Sequence, residues 1–208
     1  MKNQKLILAF GELLIPILGF YWWQWDLHFI FLFYYLDVVA SLVIYAVKIR
    51  KIELFRSGKW NLQHHFPAIL KWYMSVIVGL IFFEIGLMFV YPELNLMNSL
   101  IDFLSYEELG IPQGIIILPL IALMNYQQYQ LLFIQNGSYR ILQINAIKKL
   151  GFYSFICFGI AGLIFLLFNL IVSIPDFYWI WLIAGSKVCF DLWIQPYIEH
   201  KIQEKRLP

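Results

Sequence analysis

The chain has 208 residues, of which 62% are hydrophobic and 13% are charged, and its formal net charge is +2. A soluble domain carries about 25% charged residues, so this composition excludes a water-soluble globular protein of this size. The apolar residues occur in runs of about 20, the length that crosses the hydrocarbon core of a bilayer as a helix. The composition therefore predicts an all-α integral membrane protein.

Six apolar runs predict a six-transmembrane-helix bundle. The predicted spans are 6–23, 27–47, 72–91, 113–133, 152–174 and 178–198. The fourth run is the weakest because Asn125-Tyr126-Gln127-Gln128 lies in its second half, and we expect this polar half to face other helices or a water-filled cavity. In the third run, Gly79 and Gly86 are seven residues apart and predict a closely packed helix face.

The connections between the spans differ in charge. Of the 15 Lys and Arg residues, 14 fall on one side of the predicted membrane and none falls on the other, while Lys187 lies inside the sixth span. By the positive-inside rule, both termini are predicted to be cytoplasmic in a multi-pass protein of the cytoplasmic (inner) membrane. The basic segment 48–66 is expected to be a cytoplasmic loop, and the outer segment 94–106 is expected to be an amphipathic helix on the membrane surface.

Five ionisable residues lie within the predicted spans, where a charge is costly unless it finds a partner in the bundle interior. They are Glu12, Asp37, Glu84, Lys187 and Asp191. Lys187 and Asp191 are four residues apart and can pair within one helix. The helical rise places Asp37, Glu84 and Lys187 at similar depth, so these three are expected to converge. The secondary candidates for this polar centre are Asn125, Gln128 and Arg140.

The four acids and one lysine sum to a charge of −3, which a dry interior does not hold, so some acids are expected to be protonated or solvated. One hypothesis is a site that handles a proton or another cation. The alternative is a set of hydrogen-bonded neutral acids that fixes helix packing.

Cys157 and Cys189 fall in apolar runs and are expected to be buried hydrophobic residues. Because no metal, phosphate or hydrolase motif is present, we expect no metal site, no cofactor and no nucleic-acid partner.

Three short patches resemble motifs of a prokaryotic multi-pass membrane family that is catalogued only as a domain of unknown function. The patches are Phe33-Tyr34-Tyr35-Leu36-Asp37-Val38-Val39, Tyr139-Arg140 and Lys187-Val188-Cys189-Phe190-Asp191. They are similar to an aromatic pair before an acid, a Tyr-x-Arg-like turn and a Lys-x-x-x-Asp ending. The chain departs from the family at Gln143-Ile144-Asn145, where histidines would stand. The resemblance implies no activity, but it implies that Asp37, Arg140, Lys187 and Asp191 belong together.

Two functional hypotheses follow from these features. The first is a small proton- or cation-coupled transporter or permease built around the polar centre. The second is a non-catalytic accessory or assembly subunit of a larger membrane complex, whose lateral surface contacts lipid, partner subunits or a second copy of the chain. An enzyme is disfavoured, since the sequence contains no visible nucleophile–base or metal-ligand constellation.

Overall fold

The computed structural model describes residues 2–90, 101, 105, 113–172 and 175–197, and nearly all of them are helical. The first four helices are α1 (Lys2–Trp22), α2 (Leu27–Ser57), α3 (Leu62–Val90) and α4 (Gln113–Gln128). They are followed by α5 (Ser138–Ile141), α6 (Ile144–Ile171) and α7 (Asp176–Cys189). Two π-helical segments continue α4 and α7, over Tyr129–Ile134 and Phe190–Ile194. The predicted all-helical fold is confirmed for these residues.

Three helical segments are long and apolar enough to cross a membrane: Leu27–Ser57, Leu62–Phe89 and Phe177–Tyr197. The shorter segments Ala9–Trp22 and Gly159–Ile171 are also apolar. Large apolar side chains cover the outside of the bundle, as on α3, where Phe82 is 71% exposed and Phe89 is 75% exposed. Extensive exposed apolar surface marks a surface that contacts lipid or protein, and here it supports a helical membrane protein.

Helix α2 lies at the centre of the bundle and contacts each of the other six helices in the described part of the chain. It begins where the Asp26 carboxylate caps it, accepting a hydrogen bond from the Phe29 N–H at 2.6 Å. It ends at Gly58, whose φ of 70° is left-handed and whose N–H donates to the Leu54 carbonyl. Asp37, in the middle of α2, is only 5% exposed and is therefore buried inside the bundle.

The apolar interior is divided into two clusters along α2. The first surrounds the start of the helix and includes Ile30, Phe33 and Tyr34. The second surrounds its later turns and includes Leu42 and Ile49. The boundary between the two clusters is the turn that carries Asp37, so the buried acid lies between two apolar cores.

The predicted close approach at the third span is present between α3 and α6. A Cβ atom added at Gly79 would lie 2.7 Å from the Phe155 ring, and one added at Gly86 would lie 2.5 Å from Leu166. Such distances are shorter than normal contacts, so a larger residue at either position would require the facing Phe155 or Leu166 side chain to move.

The segment 48–66 is not the loop that its basic residues suggested. Helix α2 continues to Ser57 and α3 already begins at Leu62. The two helices are tied by His65, whose Nε2 lies 3.3 Å from a Glu53 carboxylate oxygen and whose ring stacks on Trp60. Lys, Arg and Glu favour helix almost as strongly as Leu does, so a basic segment next to a span can extend it.

Two other expectations concern residues of which the structure says little. The predicted amphipathic segment 94–106 lies outside the described residues, apart from positions 101 and 105, and so it stays a prediction. The side chain of Cys157 is also outside the described part. Cys189 is a free, partly buried thiol.

Candidate functional site

The ammonium group of Lys187 lies at the centre of a cluster of three carboxylates. Its Nζ atom lies 2.7 Å from an oxygen of Asp191, 3.1 Å from one of Glu12 and 3.2 Å from one of Asp37. Glu12 comes from α1, Asp37 from α2 and Lys187 from α7, while Asp191 lies in the π-helical continuation of α7. These four residues are called the Lys187 cluster below, and the pairing predicted from the Lys187–Asp191 spacing is present.

Helix α4 supplies amide groups that hold two of the acids. The side-chain N–H of Asn125 donates to Asp37 at 2.7 Å, and its side-chain oxygen accepts a hydrogen bond from the Ser41 hydroxyl at 2.9 Å. The amide of Gln128 donates to the other oxygen of Glu12. The two secondary candidates on α4 therefore belong to the same site, which is assembled from four helices.

Burial and charge distinguish the members of the cluster. The side chains of Glu12 and Asp37 are 6% and 7% exposed, whereas those of Lys187 and Asp191 are 20% and 18% exposed. With every group ionised, three carboxylates and one ammonium leave a net charge of −2. Uncompensated charge in a buried site is strongly unfavourable, so the cluster attracts a proton or another positive group.

Glu84 lies elsewhere, paired with His28. The Nε2 atom of His28 is 3.2 Å from each carboxylate oxygen of Glu84, and both side chains are largely buried. The depth estimate grouped Glu84 with Asp37 and Lys187, but the structure brings Glu12 to Lys187 in its place. Depth along a helix does not determine which way a side chain points, and α3 directs Glu84 toward the start of α2.

Arg140, the third secondary candidate, is not brought into the cluster. It is exposed on α5, and its Nε donates to the hydroxyl of the neighbouring Tyr139 at 3.2 Å.

In the polar half of the predicted fourth span, the two faces of α4 differ in burial. Asn125 faces the interior, whereas Tyr126 and Gln127 are exposed. The expectation that this polar half faces inward was therefore correct for one face of α4 and wrong for the other.

Two cavities border the buried acids. A cavity of about 340 Å³ lies between α2, α6 and α7 and is called the lateral cavity below. Its polar lining includes Lys187, Asp191, Ser41 and Tyr34. A second cavity of about 200 Å³ lies between α2, α3 and α6, with Glu84 on its wall. Among the residues that the structure describes, no three His, Cys, Asp or Glu side chains are grouped so as to hold a metal ion.

Comparisons of this chain with protein-family models, with curated proteins and with solved structures gave no match. The resemblance to a membrane family of unknown function therefore stays a hypothesis. Its expectation that Asp37, Lys187 and Asp191 lie together agrees with the geometry of the cluster, and its inclusion of Arg140 does not.

Proposed function

We propose that this protein is a small multi-pass carrier of the cytoplasmic membrane in which the Lys187 cluster exchanges a proton or another cation. The observation that supports this proposal is one ammonium group held between three carboxylates, next to a cavity. Ionisable groups inside a membrane protein commonly mark ion pathways and proton relays. A net charge of −2 makes the cluster a site that takes up positive charge.

The arrangement also suggests how uptake of a proton changes the bundle. Glu12 and Asp37 lie on different helices and both contact Lys187 on α7. Protonation of either acid weakens its ion pair with Lys187, which loosens α7 from that helix and leaves the other pair intact. A proton thereby favours one helix arrangement over another, which is the differential interaction that coupled transport requires.

We also infer six crossings with both termini in the cytoplasm. Glu12 on α1 contacts Lys187, which lies inside the apolar segment Phe177–Tyr197, and Asn125 on α4 contacts Asp37 in the interior of α2. A helix joined to the middle of a membrane-crossing segment lies at the same depth, which favours α1 and α4 as further crossings. The positive-inside pattern gives the orientation.

Accessibility tags test this topology. We expect tags at residues 1 and 208 and near Asn136 to be cytoplasmic, and a tag near Asp102 to be external. Labelling of intact cells and of permeabilised cells with a membrane-impermeant reagent distinguishes the two sides. A tag near Asp102 that is reached only from the cytoplasm contradicts the six-span arrangement.

Charge movement tests the carrier. Purified protein is reconstituted in proteoliposomes adsorbed to a solid-supported membrane, and the proton or Na⁺ concentration is changed in a step. We expect a transient current that Asp37→Asn reduces by about tenfold or more, since the neutral amide cannot take up the cation. Glu53→Gln is the matched acid-to-amide control, because Glu53 pairs with His65 outside the Lys187 cluster, and it is expected to retain the current.

The second candidate function is an accessory or assembly subunit, with a partner membrane protein or a second copy at its lateral surface. It is favoured by Gly159 and Gly185, where an added Cβ would meet nothing within 4 Å, because small residues allow a partner helix to approach closely. If neither ion produces a transient current, or if Asp37→Asn leaves the current unchanged, the carrier is rejected and the subunit becomes the leading hypothesis.

A further inference from the structure

We propose that the lateral cavity binds an amphipathic amine, a molecule with an ammonium head and an apolar body, which enters from the lipid side of the bundle. This inference names a substrate class for the proposed carrier. It depends on the carrier proposal only for transport, since binding to the cavity is measurable at equilibrium without any ion gradient.

The cavity opens between α6 and α7 on the outer surface of the bundle. Its rim carries four apolar residues that are between 39% and 52% exposed: Ile160, Ile164, Leu182 and Ile194. Deeper in the cavity the walls include Phe31 and Val38. Its volume of about 340 Å³ is within the range of about 300–1,000 Å³ that is usual for small-molecule sites. An apolar entrance at the helix surface admits an apolar body directly from lipid.

The inner end of the cavity is polar and contains an unsatisfied hydroxyl. Tyr34 is 2% exposed and lines the cavity, and its hydroxyl has no hydrogen-bond partner among the described residues. Buried polar groups are nearly always hydrogen-bonded, so an orphaned hydroxyl at a cavity wall points to a ligand that completes it. Lys187 and Asp191, the more exposed members of the cluster, line the same cavity.

Charge selects the head group of the ligand. The cluster carries −2 when all four groups are ionised and −1 when one acid is protonated, so it attracts a cation in both states. The cluster already holds one ammonium group, that of Lys187, between carboxylate oxygens at 2.7–3.2 Å. A ligand ammonium repeats this chemistry, with N–H donors for Asp191 and for the oxygen of Tyr34, whereas an anionic head would be repelled.

A matched pair of probes tests the class of ligand. Isothermal titration of the purified protein in detergent at neutral pH compares 4-phenylbutylamine with 4-phenylbutan-1-ol, which has the same apolar body and no charge. We expect the amine to bind about tenfold or more tightly than the alcohol, because only the amine brings positive charge to the negatively charged cluster. Equal binding of the two probes overturns the assignment in favour of a neutral ligand, and absence of binding by the amine overturns it altogether.

Two substitutions on α6 test the location. Ile164→Trp fills the rim of the cavity, whereas Leu167→Trp is the control, since Leu167 is also apolar and exposed but is not among the residues that line the cavity. We expect Ile164→Trp to weaken amine binding by about tenfold or more and Leu167→Trp to change it by less than about twofold. Equal effects of the two substitutions place the probe elsewhere and overturn the proposal. Thermal unfolding verifies that both variants fold.

Amine binding and charge movement test the amine site and the carrier separately. Amine binding that follows this pattern in a protein without transient currents supports the amine site and rejects the carrier. Transient currents in a protein that does not bind 4-phenylbutylamine support the carrier and reject the amine site.

A third variant, Tyr34→Phe, keeps the ring and removes the hydroxyl. We expect it to weaken amine binding by about threefold or more, a change that a purely apolar site would not show.

Discussion

The Lys187 cluster and the His28–Glu84 pair both bury ionisable groups in the same bundle, but they balance charge in different ways. The pair contains one basic side chain, His28, and one acid, Glu84, so their formal charges cancel when both are ionised. The Lys187 cluster keeps an excess of two negative charges when all of its groups are ionised. The pair therefore has one basic side chain for its one acid, whereas the cluster has one basic side chain for three acids.

The two regions also differ in the number of helices that they join. The His28–Glu84 pair connects α2 to α3 alone. The Lys187 cluster connects α1, α2 and α7, and the amides of Asn125 and Gln128 add α4. A change of protonation at the pair affects one helix contact, but at the cluster it redistributes contacts among several helices. This difference is the reason for assigning ion handling to the cluster and a packing role to the pair.

Removal of the central cation should have the largest effect. We expect Lys187→Met to lower the free energy of unfolding by about 3–5 kcal/mol, because it leaves buried carboxylates without their cation. Adding Asp191→Asn should restore only part of this loss, since Glu12 and Asp37 remain as uncompensated acids. Reversible unfolding in mixed detergent and sodium dodecyl sulfate measures both variants against the wild type.

The matched control for this experiment is Lys149→Met, because Lys149 is exposed and lies outside the cluster. A surface change of this kind is expected to alter the free energy of unfolding by less than about 0.5 kcal/mol. If Lys187→Met costs no more than Lys149→Met, the three ion pairs do not stabilise the bundle. If the double variant regains full stability, Lys187 is paired with Asp191 alone and the cluster is a simple pair.

Breaking the His28–Glu84 pair should have a smaller effect that can be rescued. We expect His28→Leu to cost about 1–3 kcal/mol, because the buried Glu84 carboxyl loses its hydrogen-bond partner. The double variant, His28→Leu with Glu84→Leu, should recover most of the loss, since no unpaired polar group is left. The same unfolding measurement applies.

His64→Leu is the control, since His64 is exposed and lies on α3 away from Glu84. Losses in the two single variants that simply add in the double variant would show that His28 and Glu84 do not interact. The two regions differ as proposed if the double variant at the His28–Glu84 pair recovers most of its free energy of unfolding and the double variant at the Lys187 cluster recovers only part of it.

Much of the cluster could be predicted from the sequence because charged residues are rare inside apolar runs. That criterion selects all four members of the cluster, Glu12, Asp37, Lys187 and Asp191, but also Glu84, which lies elsewhere. The spacing of Lys187 and Asp191 predicts their contact. The close approach of α3 to another helix was equally visible, because Gly79 and Gly86 lie on one face of it. These signals are local in the chain, so a single sequence contains them.

The neighbours of each helix could not be predicted in the same way. The membrane depth estimated from the helical rise placed Glu84 near Lys187, but in the structure Glu84 pairs with His28. The π-helical segments also have no sequence signal, although both adjoin the site: Gln128 precedes one of them and Asp191 lies in the other. Segments of this kind often occur at functional sites because they re-aim the side chains of a helix.

The smallest expected effect concerns the hydrogen bond from Ser41 to Asn125, which supports the cluster. We expect Ser41→Ala to cost about 0.5–1.5 kcal/mol, the usual net value of one hydrogen bond. In a background that already carries Asn125→Leu the same change should cost almost nothing, because its partner is gone. Combined with His28→Leu, it should add within about 0.5 kcal/mol, since His28 and Ser41 are separated by more than three turns of α2. Strong coupling of Ser41 to His28 would show instead that the cluster and the pair form one connected network, and the assignment of separate roles would then be wrong.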